Sequence, residues 1–236
     1  GVEGFCYWHY WFGNGKKVLD MPFNEVLERN EPDFPFCLGW ANHSWTTKTW
    51  EKGKTFTKDT MIFEQTYPGD DDYIAHFNDV LPAFKDNRYI TVDDKPLFVI
   101  FDPTSIPDSK HFITLWNDLA KKNGLKGIYF VARCDALPNI NFKNYKDFDK
   151  LTKLRYDELF DMGYNGINSI NLKYAELKTD GFVKKGIKSV FRKKFGGLIL
   201  DKYKYEDIVK NSITNEDFRE NVYPQLIPRR DRSPRS

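Results

Sequence analysis

PLFVIFDPTSIPDSKHFITLWNDLAKKNGLKGIYFVAR, residues 96–133, decides the fold class. Its two ends, 96–101 and 128–133, are short apolar runs rich in β-branched and aromatic residues, which read as buried strands. Between them Phe112, Trp116, Leu119 and Ala120 recur on one helical stripe, with Pro107 near the start and Gly124 as a stop. Strand, helix and strand with a short return form a parallel crossover, and repetition of that unit makes an α/β protein.

The same alternation continues on both sides. Strand-like runs occupy 4–12 (GFCYWHYWF), 36–41 (FCLGWA) and 61–67 (MIFEQTY). Helical patterns fall at 21–30 and at 71–84, where Pro82 is expected to kink or end the helix. Asp93-Asp94-Lys95 reads as a tight turn leading into the 96–101 strand. Beyond residue 140 the pattern weakens to a helix, a short strand at GINSINL, and a helix-like stretch over 182–195 with six basic residues. That stretch suits either an outer helix with a solvated basic face, the preferred reading, or peripheral contact with an anionic membrane surface.

Composition narrows the function. Lys plus Arg is 36 against 34 Asp plus Glu, so a net charge of +2 argues against wholesale nucleic-acid binding. Cys6, Cys37 and Cys134 are few and far apart, which fits buried free thiols in a reducing compartment and no zinc site. No apolar run approaches a membrane span and no signal peptide is visible, so a cytoplasmic location is expected, with membrane association through 182–195 as its variant. Aromatic residues reach 17%, more than a core usually needs, and surplus rings often line grooves for sugars.

In parallel α/β folds, functional residues gather at the C-terminal ends of the strands. Those ends carry His9 and Tyr10, then Trp40 and Asn42, then Glu64 and Tyr67, then Asp102, then Arg133 with Asp135. Rings that stack on a pyranose beside planar polar groups that bond its hydroxyls compose a carbohydrate site. Glu64 is the candidate catalytic group, because a carboxylate directly after Met61-Ile62-Phe63 must be paired, exposed at a mouth, or functional. His9, Tyr10, Trp40, Asn42, Tyr67, Asp102 and Arg133 are the candidate substrate-binding residues. Asp70-Asp71-Asp72 offers a superficial metal-binding Asp-x-Asp, but its place after Pro68-Gly69 reads as a helix N-terminus, so no metal and no cofactor is expected.

GFCYWHYWF, EPDFPFCLGWANHSWT, IFEQTY and DDKPLFVIF together closely resemble the WbsX-like glycosyltransferase family, which is related to the endo-α-mannosidases of glycoside hydrolase family 99. The resemblance is good over about residues 1–135, loose to about 215, and good again in the closing VYPQLIPRRDRSPRS. It implies a (β/α)₈ TIM-type barrel, incomplete here, with residues 1–236 as a single barrel domain cut at both ends. It also implies glycosyl transfer in bacterial surface-polysaccharide biosynthesis, an oligosaccharide substrate and an activated sugar donor as a further candidate partner. Two departures stand out. Family members often have Asn-Glu-Asn-Trp where this chain reads Asn42-His43-Ser44-Trp45. The carboxylates expected in a later Asn-Glu-Trp segment lie past its end. Glycosidic chemistry generally needs a pair of carboxyl groups, so an endo-acting hydrolase of α-mannan-like glycans and a non-catalytic sugar-binding module remain the alternatives.

Overall fold

The computed structural model describes residues 1–47, 60–135, 147–195 and 203–225, with the side chains of 182, 183, 185, 188, 189 and 191–195 outside that description. The chain is mixed α/β with a mostly parallel sheet, and it groups into two compact units. One comprises Gly1–Arg133 and Leu159–Gly166, the other Cys134–Glu158 and Ile167–Ser236.

In the first unit, β1 (Phe5–His9), β2 (Phe36–Trp40), β6 (Lys95–Ile100) and β7 (Tyr129–Asp135) lie side by side in that order, all parallel. The register pairs Cys6 with Cys37, Gly39 with Val99, and Val99 with Val131. The crossover elements are α1 (Met21–Arg29), α2 (Asp70–Phe84) and α3 (Ser109–Lys122). β5 (Thr91–Val92) folds back antiparallel on β6. The turn between them places Asp93 and Asp94 at φ 51° and 60°, where short polar side chains are the tolerated L-residues.

One face of the sheet is sealed by α2 and α3 through rings. Phe36, Trp40, Phe98 and Phe130 point into that layer, where Phe98 meets Trp116 at 5.1 Å and Trp40 meets Phe112 at 5.7 Å. Of the stripe, Phe112, Trp116 and Ala120 are buried and Leu119 is half-buried. Trp116 donates its indole N–H to the Tyr73 carbonyl at 3.1 Å, so the polar end of this large side chain is satisfied inside the core. α3 starts with Asp108 accepting the His111 amide and ends before Gly124 at φ 85°, both as expected of the boundary residues.

Three expectations are corrected. The run 61–67 is not a strand of the parallel sheet: β4 (Thr60–Phe63) pairs antiparallel with β3 (Trp45–Thr47) in a separate two-stranded sheet. Its apolar signal comes from Phe63 packing on Phe12 at 5.2 Å and on Trp45 at 5.8 Å, while Met61 and Ile62 are exposed. Pro82 does not end α2, which runs on to Phe84; only two helical residues follow the proline, so few backbone bonds depend on it. Cys6 is an exposed free thiol, whereas Cys37 and Cys134 are buried: Cys6 lies on the edge strand β1, and Cys37 is its register partner on β2, which is flanked by strands on both sides.

The remaining elements, which fall in the second unit except for residues 159–161 and 166, are α4 (Phe148–Asp161), β8 (Gly166–Ile170), α5 (Leu172–Phe195), α6 (Tyr205–Ser212), a 3₁₀ turn at Asn215–Phe218 and β9 (Val222–Pro224). β8 and β9 are parallel, with Ile167 opposite Val222. Buried Asp217 ties these elements: its carboxylate accepts from Tyr156 Oη at 3.0 Å, Ser169 Oγ at 2.6 Å, Asn171 Nδ2 at 2.7 Å and the Thr214 amide at 2.7 Å. With the Thr214 hydroxyl at 2.9 Å the carboxylate collects five donors, which compensate for its lost hydration. α5 breaks its helical path at Gly181 (φ 71°), and most side chains of 182–195 lie outside the described residues.

Candidate functional site

The sheet face opposite α2 and α3 presents Cys6, Trp8, Cys37, Gly39, Phe101 and Arg133, by the two-residue alternation from the helix-facing set. Trp8 is 41% exposed there, and its ring meets Phe101 edge-on at 5.5 Å. Gly39, beneath it, has no room for a side chain: a Cβ at that position would stand 2.9 Å from the Trp8 ring and 3.1 Å from Cys6 Sγ. The glycine thus lets a tryptophan lie across the neighbouring strand.

At the C-terminal end of the same face, Phe101 carries two more groups. The His43 imidazole stacks on its ring at 4.7 Å, and the Arg133 guanidinium lies 4.1 Å from its centroid. His43 is half-buried, and its Nδ1 has no partner among the described residues. Burial pushes its pKa down and Arg133 adds to that, against the opposing charge of Asp102, so the ring is neutral near pH 7. Both Asp102 oxygens are engaged, by Ser105 Oγ at 2.5 Å and Thr104 Oγ1 at 3.3 Å.

Beneath this rim lies a buried polar frame. Asn42 is 1% exposed; its Oδ1 accepts the Asp102 amide at 2.8 Å, and its Nδ2 donates to the Asp102 carbonyl at 2.7 Å and to Tyr67 Oη at 3.1 Å. Burial raises the Tyr67 hydroxyl to about 12, so it stays protonated. Trp40 is 1% exposed on the helix side and donates its indole N–H to the Trp11 carbonyl at 2.9 Å. His9 is buried and joined to His76 through their Nε2 atoms at 2.9 Å, one donating and the other accepting. His76 is itself boxed by Trp11 at 4.8 Å, Trp40 at 4.7 Å and Trp116 at 5.0 Å. Burial holds His9 down at about 4 and His76 well below the ordinary imidazole value.

The remaining candidates sit at the margin. Tyr10 is half-buried and meets Trp45 edge-on at 5.1 Å. Glu64 is exposed directly after β4, beside Gln65, whose amide donates to Ser44 Oγ at 2.9 Å. Asp135, in the second unit, pairs with Lys173 at 3.1 Å. Gly13, Asn14 and Gly15 turn the chain out of β1 with φ of 92°, 52° and 70°, closed by the Phe12 amide donating to the Lys16 carbonyl at 2.9 Å.

The structure therefore sorts the sequence candidates into two layers. Asp102, Arg133, Tyr10 and Glu64 lie toward solvent at strand ends, while His9, Trp40, Asn42 and Tyr67 form the packed frame under them. Trp8, His43 and Phe101 join the outer layer without having been singled out. The alternation of β1 against buried His9 was the available signal for Trp8, but a strand apolar on both faces hides its parity. Among the described residues no group of three or more His, Cys, Asp or Glu could hold a metal ion, and no helix is long and apolar enough to cross a membrane.

Residues 1–236 match the family model described as glycosyltransferase WbsX. Two relatives, each named uncharacterized protein WxcX and from two strains of Xanthomonas campestris pv. campestris, are 30% identical over 131 residues. That match covers 55% of this chain and 18% of theirs, so the chain spans about a fifth of the length of the relatives it matches. No solved structure matches. The chain belongs to the WbsX glycosyltransferase family.

Proposed function

We propose that this WbsX-family chain is part of a (β/α)₈-type barrel that transfers a glycosyl unit in the assembly of a bacterial surface polysaccharide. The observation that carries this reading is the platform of Trp8 on Phe101, bordered by His43 and Arg133. It exposes a large ring at the C-terminal ends of parallel strands, where such folds bind ligands. A pyranose ring stacks on Trp8, and its hydroxyls are met by the neutral His43, Arg133 and Tyr10. Glu64, exposed directly after β4, is the carboxylate this reading assigns to the reacting centre. His9, Trp40, Asn42 and Tyr67 position that surface from below. The substrate is an oligosaccharide and the donor an activated sugar, handled at the cytoplasmic side.

A second reading is supported by Asp102, whose two carboxylate oxygens are committed to Ser105 and Thr104. With that carboxylate so engaged, no second carboxyl is seen to accompany Glu64 among the described residues, and such a site suits binding better than acid–base cleavage. Incubating the protein with activated sugar donors and acceptor oligosaccharides, and reading products by mass, tests both. Elongated acceptors support transfer, shortened ones a hydrolase, and unchanged acceptors with retained binding a sugar-binding module.

A further inference from the structure

Cys6 and Cys37 are register partners on adjacent parallel strands, and alternation puts both on the platform face. Cys6 is exposed and Cys37 buried behind it, and both thiols are free. We propose that Cys6 and Cys37 are a modification site: a reversible cross-strand dithiol–disulfide pair that reacts with low-molecular-weight disulfides.

Proximity of neighbouring strands supplies the geometry, since partners in adjacent strands fall within the Cα separation that a disulfide spans. The thiols already interact. The hydrogen bond from Cys37 favours the thiolate at Cys6, while that bond and burial push ionisation of Cys37 far above the usual thiol range. The roles are thereby divided. Cys6 is the accessible attacking sulfur, and Cys37 is the resolving one, shielded until Cys6 has reacted.

The chemistry balances as two exchanges. Cys6 thiolate attacks one sulfur of a small disulfide, an S–S bond forms to Cys6, and one small thiolate leaves. Cys37 then loses its proton to that thiolate and attacks Cys6 Sγ, expelling the second small thiolate, which takes up from solvent the proton that Cys6 released on ionising. Two protein thiols are oxidised to one disulfide, and one small disulfide is reduced to two thiols.

The consequence reaches the platform. Cys6 Sγ and the Trp8 ring both lie over Gly39, so drawing Cys6 toward Cys37 alters the packing on which Trp8 rests. Oxidation would also tie β1 to β2 covalently at the end opposite the sugar-facing rim.

The test is to equilibrate the protein with graded ratios of reduced and oxidised glutathione, quench with acid, alkylate the remaining thiols and map peptides. The expected result is a species lighter by two hydrogens with Cys6 joined to Cys37 and Cys134 alkylated, returning to three thiols in excess reductant. Cys37→Ser should instead accumulate glutathione on Cys6, and Cys6→Ser should react about tenfold or more slowly, because the remaining thiols are buried. Glutathione persisting on Cys6 of the unaltered protein, or disulfides only between molecules, would overturn the proposal. Both readouts come from the unaltered chain, so they stand even if a serine variant fails to fold.

Discussion

Asn42 and Asp102 are clamped to each other by a two-way amide bridge: the Asn42 side chain accepts the Asp102 N–H at 2.8 Å and returns a bond to the Asp102 carbonyl at 2.7 Å. The bridge joins the residues just past the C-terminal ends of β2 and β6. It therefore sets where His43 and Phe101, one residue from each partner, come together. Asn42→Ala leaves a buried N–H and C=O without partners. The expected loss is about 2–3 kcal/mol of stability, read as a lower urea midpoint with an unchanged slope.

Trp8 and Trp40 should respond oppositely to truncation. Trp8→Ala removes a half-exposed ring and is expected to cost roughly 1 kcal/mol or less of stability, while lowering oligosaccharide affinity about tenfold. Trp40→Ala empties a fully buried site and breaks a hydrogen bond to the Trp11 carbonyl, so about 3–5 kcal/mol should be lost. Calorimetric titration and chemical denaturation on both variants separate the two effects.

Histidine burial makes stability depend on pH. His9 titrates at about 4 in the fold, below the ordinary imidazole value near 6.5, so the unfolded chain binds the extra proton between those limits. Its contribution is complete above about pH 6.5 and is lost as pH falls toward 4, with His76 depressed in the same sense. Between pH 7.5 and 5 the His9 share should be on the order of 2 kcal/mol. The nearby charges of Asp79, Lys17 and Asp20 modulate it. Urea unfolding at the two pH values should show a smaller difference for His9→Gln than for the unaltered protein.

Gly13→Ala is expected to be among the most damaging small changes. The position has φ 92°, and its added Cβ would stand 2.4 Å from Thr66 Oγ1 and 2.8 Å from the Thr66 carbonyl oxygen. Thr66 is itself bonded to Phe12 by its amide and its hydroxyl, so it has little room to withdraw. A loss of about 2–3 kcal/mol should appear in thermal unfolding.

The legibility of this architecture follows physical lines. The crossover around α3 was readable because a 3.6-residue stripe stood between two short apolar runs with Pro and Gly at its limits. Two of the remaining runs, 4–12 and 36–41, were equally clear, but 61–67 was not. A hairpin pinned by one inward ring, Phe63, yields the same apolar run as a buried strand. The site was half legible. Strand ends pointed to Asp102, Arg133 and Tyr10, but local sequence does not tell which face a doubly buried strand shows. His9 and Trp40 therefore went to the helix side, and Trp8 to the open one. The Asp217 knot was invisible because its donors come from Tyr156, Ser169, Asn171 and Thr214, scattered over a helix, a strand and two connecting segments.

The central claim is that glycans dock on the Trp8–Phe101 platform, and the direct measurement is tryptophan indole N–H resonances during titration with surface-polysaccharide oligosaccharides. Saturable shifts at Trp8, with the buried Trp40 and Trp116 signals unmoved and the response lost in Arg133→Ala or Trp8→Ala, are the expected result. Saturable binding that leaves Trp8 unshifted, or that survives both substitutions at full affinity, would contradict it.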